Sequence, residues 1–401
     1  IVSTSSLIFL ISILIKKEFL FFKKKIFLFF LVFNLYLIFT SLTSNNIYFS
    51  LHSTLFYFRF GIFSLTIFYL LKNYEFFLNY FTISLFLILT ITCFDALFQY
   101  FYNYNTLGFD YTNNRLSGFF GEEKKLGSYL VKLLPLLFTI LLFKNFYNKK
   151  TFITLFYFLS LLVVIIVIFT VERTSIFIMF IIIFGYLIFL KINKLYKLSL
   201  FGIIVFLSLF VILQDDVIKN RIINLTINQI LGLNDDGGFF DENEIQKEKL
   251  VFDNFRIFST DHESHFINAL KIFQDNKVFG IGPRMFRIEC GLDKYYTIYG
   301  CSTHPHNYYV QLLSETGLIG FSFLLFVFLV LSYKLLRLFV FKIYRIPYND
   351  YYVSIILLCF SLTWPIMPTG NFFNNWLNSI IYLCVGFLLF FYEKNLREIN
   401  D

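Results

Sequence analysis

The sequence predicts an all-α polytopic membrane bundle, with about eleven spans present and one large, partly helical polar loop between them. Three observations predict it. Hydrophobic residues make up 58% of the 401 positions and charged residues 15%, and the mean hydropathy is +0.70, more apolar surface than one water-soluble core of this length can hide. The apolar residues fall in long runs of roughly 20, the length at which a helix crosses a bilayer. A closed β-barrel would instead show short alternating strands, and these Phe, Leu and Ile runs do not alternate.

In chain order the runs lie near 1–15, 26–44, 47–71, 76–99, 126–143, 151–170, 175–190, 198–213, 308–333, 351–367 and 375–392. The segment 214–307 is the one large polar insertion, mixing Asp, Glu, Lys and Arg around a DDGG turn at 235–238. Loops this long are functional or disordered as a rule, and the periodic stretch Phe266 to Phe273 points to folded structure here. The expected domains are therefore an N-terminal bundle (1–213), a large loop (214–307) and C-terminal helices (308–401). No internal repeat is evident, which weighs against inverted-repeat transporters. The chain starts at Ile1 without a Met, and one more span upstream would give about twelve, with both ends on one side.

Direction follows from Lys and Arg, which favour the cytoplasmic side of short loops. One set of loops holds Lys16, Lys17, Lys23, Lys24 and Lys25, then Lys72, then Lys144, Lys149 and Lys150, and later Lys191, Lys194 and Lys197. Lys334, Arg337, Lys342, Arg345, Lys394 and Arg397 continue the same set. The opposite short loops, 45–46, 171–174 and 368–374, offer only Arg173. The C-terminus is thus expected inside, and 100–125 and 214–307 outside. This placement also accounts for the formal charge of +8 without a nucleic-acid partner.

The 60 Phe and the two alanines, Ala96 and Ala269, suggest an A+T-biased codon pool, so a single Phe or Lys carries little information. The five cysteines show neither CxxC nor Cys/His metal spacing. Cys93, Cys359 and Cys384 fall inside apolar runs as small core residues. The pairs Asp215-Asp216 and Asp235-Asp236 read as turn and cap residues and nothing resembles an Asp-x-Asp metal motif, so no metal and no cofactor are expected.

The most informative stretch runs from Phe279 to Gly320: FGIGPRMFR, then CSTHPHNYYVQLLSETGLIG. It resembles the signature of the O-antigen ligase and polymerase superfamily, a G-[IV]-G-P-x-x-F element followed by H-N opening a helix that reads Q-L-L-x-E-x-G-x-x-G. Asp95, Gln99 and RLSGFFGEEKKLGSYL (115–130) are similar to a second block of that family, and the ERTS turn at 172–175 to a third. The likeness covers most of residues 90–320 in order.

The resemblance implies that His306 is the essential catalytic residue. Pro305 before it favours a helix start, which would place His306 in the first turn, where the helix dipole attracts anions and disfavours imidazolium. A neutral His306 could accept a proton from a sugar hydroxyl; a plain capping role is the blander alternative. His304 reads equally as support or as a loop hydrogen bond. Arg173, in a tight outer turn, needs an anionic partner or an aqueous cavity, and its planar fork suits a pyrophosphate; pairing with Glu172 is the alternative. The resemblance implies a second arginine, for which Arg256 stands as a candidate, although His262 and Phe266 occupy places where relatives carry Arg and Trp. Arg284 and Arg287 lie three apart and would share a helix face, binding phosphate or facing solvent. Asn307, Gln311 and Glu315 stack on one face, Gln311 as a structural hydrogen-bonder and Glu315 as a group that could orient the acceptor. Asp95 is expected to form a structural ion pair with Arg115 or Arg59.

Cys290 and Cys301 are the two cysteines outside the spans. They would bridge in an oxidising compartment, two unrelated thiols being the alternative.

The expected function is that of a metal-independent glycosyltransferase of the inner membrane, working on the periplasmic face. It would move a glycan from a polyprenyl-pyrophosphate carrier to a lipid A-core or other glycan acceptor. Polymerisation of lipid-linked repeat units is a second possibility within the resemblance, and export of lipid-linked sugars without chemistry a third, from another class.

Overall fold

The computed structural model describes residues 1–112, 115–145, 150–191, 193–230 and 258–400. The DDGG turn and Arg256 lie outside the described residues. Among the described residues the regular structure is helical, with one isolated bridge between Tyr104 and Asp110. The helices are α1 (Val2–Lys16), α2 (Lys25–Leu42), α3 (Ile47–Thr54), α4 (Phe58–Asn73), α5 (Glu75–Tyr102), α6 (Leu126–Phe143), α7 (Lys150–Phe169) and α8 (Arg173–Phe189). They continue as α9 (Lys194–Gln214), α10 (Asp216–Lys219), α11 (Leu225–Ile230), α12 (Thr260–Asp275), α13 (Phe286–Glu289), α14 (Tyr308–Ile343), α15 (Asp350–Leu362) and α16 (Asn375–Asn400).

Among the described residues seven helices are long and apolar enough to cross a membrane, and four shorter apolar helices occupy the remaining hydrophobic runs. Every run read from the sequence is thus helical, and the fold is an all-α polytopic bundle. Polar side chains set several starts. Asn46 accepts the Phe49 N–H to cap α3, Asn193 that of Leu195 for α9, and Asp215 those of Val217 and Ile218 for α10.

The chain divides into two compact units. The first comprises Ile1–Leu70, Ile227–Val330 and Thr363–Phe387. Its core is aromatic: Phe30, Phe33 and Leu37 of α2 pack with Tyr57, Phe60, Leu312 and Phe373. The polar insertion builds a second small core there, in which Ala269 and Ile272 of α12 meet Ile281, Met285, Phe286, Cys290 and Tyr295. The periodicity read at 266–273 is therefore the buried face of α12.

The second unit comprises Leu71–Thr226, Leu331–Leu362 and Leu388–Asp401. Helix α15 is buried continuously from Tyr351 to Cys359, as expected of a helix apolar on every side. Its Ser354 Oγ bonds with Thr139 Oγ1 of α6 at 2.8 Å and with Tyr186 Oη of α8 at 2.9 Å, polar links between apolar helices.

Asp95, expected to pair with Arg115 or Arg59, does not. Its carboxylate accepts the Thr106 N–H (3.0 Å), the Thr106 hydroxyl (2.5 Å) and the Asn105 amide (3.3 Å), while Arg115 Nε donates to the Thr170 carbonyl (3.1 Å). The loop after α5 folds back on its own helix, so neutral donors satisfy the carboxylate without an ion pair. Gln99, one turn further on, accepts the N–H groups of Ser117 and Gly118.

Candidate active site

The first unit explains the glycine-rich motifs before any chemistry. At Gly317 (φ 64°, ψ −168°) α14 breaks, in a region that is essentially glycine-only. The turn segment 277–282 lies against this break: Leu318 N–H donates to the Lys277 carbonyl (2.9 Å), Ile281 N–H to the Ser314 carbonyl (3.2 Å) and Gly282 N–H to the Glu315 carbonyl (2.8 Å). A side chain at Gly280 would strike the Glu315 and Thr316 backbone, and one at Gly317 the Val278 carbonyl. The two motifs are the two halves of one crossing.

Glu315 closes it. Fully buried, it accepts the Phe286 N–H at 3.1 Å and the Gln311 amide at 3.0 Å. Gln311 also donates to Asn371 (3.2 Å) and accepts the Phe372 N–H (2.9 Å). The face of Asn307, Gln311 and Glu315 points into a protein network, so Glu315 locks the loop onto the helix.

Above this crossing four imidazoles meet. His262 and His265 lie one turn apart on α12, while His304 and His306 arrive on the segment leading to α14. Ring centroids of His306 lie 5.3 Å from His262, 5.3 Å from His265 and 4.0 Å from His304. Helix α14 begins at Tyr308 and not at His306, a difference from the sequence reading. Asn307 is the cap, its Oδ1 accepting the N–H groups of Tyr309 (2.9 Å) and Val310 (3.1 Å), because Asn is a far better cap than His. Its Nδ2 donates to the Pro365 and Met367 carbonyls. His306 stands just outside the helix at φ 55°, a left-handed conformation that costs a non-glycine residue about 1 kcal/mol or more. The Thr369 N–H, donating to the His306 carbonyl at 2.6 Å, holds it there.

Burial pushes the His306 pKa down to about 4, with His262 and His265 adding to the effect. His304 is pushed down to about 3 by burial, then by His306, Arg287 and His265. Burial also lowers His265. These rings are neutral at pH 7 and able to accept protons.

Arg284 and Arg287 share one aromatic platform. Their guanidinium carbons lie 5.2 and 6.0 Å from the Phe49 ring centroid. Arg284 donates to Ser53 Oγ (2.9 Å), and Arg287 to the Thr303 carbonyl (3.1 Å), beside His304. Burial and the Arg284 charge lower the Arg287 pKa, so an anion here is favoured. Cys290 and Cys301, Cα atoms 5.2 Å apart, are joined through their sulfurs, tying the end of α13 to the segment that carries His304 and His306.

The second unit holds a separate cationic site. Glu172 precedes α8, and its carboxylate is consumed by Gly127 N–H (3.0 Å), Ser128 N–H (3.0 Å) and Ser175 Oγ (2.7 Å). It therefore caps α6 and leaves Arg173 to other partners. Burial raises the Glu172 pKa, against the hydrogen bonds from Ser175, Gly127 and Ser128 and the Arg115 charge. Arg173 donates to Thr226 Oγ1 at 3.3 Å. Burial lowers the Arg115 pKa, and Arg221 and Arg173 lower it further. Three guanidinium groups thus crowd one region, an arrangement suited to a multiply charged anion.

Sequence reasoning named Arg173, Arg284, Arg287, His304 and His306 as candidates but did not name His262, His265, Arg115 and Arg221 as their neighbours. The i, i+3 spacing of His262 and His265 on a periodic stretch was a usable signal; nothing in the sequence marked Arg221.

Residues 157–325 match the family model described as O-antigen ligase. No curated protein matches the chain.

Proposed function

We propose that the chain, whose residues 157–325 match the family model described as O-antigen ligase, acts as an O-antigen ligase, a glycosyltransferase-type membrane enzyme. In this reading the donor is a glycan on a polyprenyl-pyrophosphate carrier and the acceptor a hydroxyl of lipid A-core, on the periplasmic face. The observation that carries it is the neutral His306 imidazole. Its ring nitrogens have no hydrogen bond to any described residue, in a site that also presents Arg284 and Arg287.

Chemically, the acceptor oxygen forms a bond to the anomeric carbon as the bond from that carbon to the pyrophosphate oxygen breaks. The acceptor proton passes to His306, and the carrier leaves as its pyrophosphate. Direct displacement inverts the anomeric centre. No metal is needed where guanidinium groups carry the leaving charge, and Arg173, with Arg115 and Arg221 beside it, is the donor-phosphate candidate of the second unit. Arg284 and Arg287 fill the same role near His306.

The test is surface glycolipid from a deletion strain complemented with wild-type protein or His306→Ala. Uncapped core with a normal chain-length ladder on the carrier supports the ligase. Core capped by single units assigns polymerisation instead, and full function of His306→Ala indicates transport without chemistry. Reporter fusions after Asn234 and at Asp401 should show opposite sidedness; matching sidedness would remove the periplasmic placement.

A further inference from the structure

At the end of α8 opposite Arg173 the second unit forms an open cavity of about 700 Å³ lined by Lys191, Lys194, Lys197, Lys342, Arg345 and Tyr348, together with Leu187 and Leu198. Three of the lysines are held in place by backbone. Lys197 Nζ donates to the Leu187 (3.1 Å) and Leu190 (2.6 Å) carbonyls, Lys342 to that of Ile188 and Lys191 to that of Tyr348. These carbonyls include the last of α8, where cations are favoured by the helix dipole. The Lys191 ammonium also sits 4.1 Å from the Tyr348 ring centroid, and the Tyr348 hydroxyl donates to the Phe189 carbonyl at 2.5 Å.

Capping a helix end requires one or two cations, and this site gathers five. The carboxylate facing them, Asp350, is already engaged by the Lys191 N–H at 3.1 and 3.3 Å. Lys191, Lys194, Lys342 and Arg345 are exposed. Like charges so close repel one another, and an anion seated among them relieves that repulsion. The volume falls within the range of ligand pockets, and cationic groups beside leucines match a phosphate carried on an acyl chain.

We propose that this cavity binds the phosphate of an acidic phospholipid headgroup in the leaflet opposite the Arg173 turn, which the Lys and Arg distribution reads as cytoplasmic. Lys191, Lys194, Lys342 and Arg345 supply exposed charge, and Lys197 is partly buried among them. The site is independent of the glycosyl-transfer reading, since neither His306 nor Arg173 takes part.

The experiment uses the full chain in phosphatidylcholine nanodiscs containing a few per cent photoactivatable phosphatidylglycerol, with crosslinks mapped by mass spectrometry. Crosslinks should concentrate on peptides covering 187–198 and 342–348. The double variant Lys194→Gln/Arg345→Gln should lower their yield roughly tenfold, and Lys194→Arg/Arg345→Lys should retain it. If the neutral variant does not yield folded protein, a salt titration of wild type decides, the expected result being a steep loss of yield with ionic strength. Equal labelling by a phosphatidylcholine probe, or salt-independent yield, overturns the proposal. Displacement by millimolar inorganic pyrophosphate overturns the lipid as source and assigns the cavity to a soluble phosphate.

Discussion

His265 and His306 stack with ring centroids 5.3 Å apart and planes 25° from parallel. Two imidazolium rings would repel one another in this arrangement, so the stack favours at least one neutral ring. It joins α12, from the polar insertion, to the residue just before α14, and it makes the packing of that insertion sensitive to pH.

The sign of that sensitivity follows from linkage. His265, His304 and His306 are all lowered, first by burial, so between pH 6.5 and about 3 the unfolded chain binds more protons than the folded one. Stability contributed by the cluster is present above the unfolded pKa of about 6.5 and is lost as pH falls through this window. Thermal unfolding of detergent-solubilised protein from pH 7.5 to 4.5 should show a falling Tm, and His265→Asn should flatten the fall. A Tm independent of pH would contradict the neutral stack.

Activity should show a related but separable acid limb. If His306 is the base, kcat/KM falls as pH drops toward about 4, the value in the free protein. A bound pyrophosphate stabilises imidazolium, so the limb in kcat lies at higher pH than the limb in kcat/KM. Coincident limbs near pH 6.5 would mean that the base is an exposed group.

Replacing Glu315 by Ala leaves the Phe286 N–H and one N–H of the Gln311 amide without their buried acceptor, at about 1–3 kcal/mol for each. Gly317→Ala forces a glycine-only conformation on a residue with a side chain and costs a similar amount. Both should reduce Tm and expression together with activity. An unaltered Tm with lost activity would instead assign Glu315 to the chemistry.

Arg173→Lys should reduce glycan transfer roughly tenfold to a hundredfold with little change in Tm, since lysine keeps the charge and loses the planar fork. Arg115→Lys should behave alike, its guanidinium lying in the same cationic group. Normal transfer by both variants would exclude bidentate phosphate binding in the second unit.

Thiol labelling of native protein should leave Cys290 and Cys301 unmodified until a reductant is added, given their pairing. Reduction should lower Tm by loosening the segment between α13 and His306, the chain-entropy gain for such a loop being roughly 2–3 kcal/mol. Full labelling of both before reduction would show that packing alone orders His306.

Helix number and class were legible in the sequence, because apolar runs of bilayer length admit one hydrogen-bonded structure in lipid. Each of the eleven runs is helical over most of its length, the run 47–71 being divided between α3 and α4. The motifs GIGP, THPHN and ETGLIG marked where chemistry and close backbone approach were to be sought, since glycine and proline constrain φ locally. What those motifs do to one another lay beyond local pattern. Only the tertiary structure decided that Glu315 clamps Phe286, that Asn307 displaces His306 from the first helical turn, and that Asp95 is satisfied by Asn105 and Thr106 and not by an arginine. The gathering of His262 and His265 around His306, and of Arg115 and Arg221 near Arg173, is of the same kind. Residues some 40 to 110 positions apart carry no periodic relation to each other. Their meeting depends on which loops fold back onto which helices, and that is set by the packing of the whole unit.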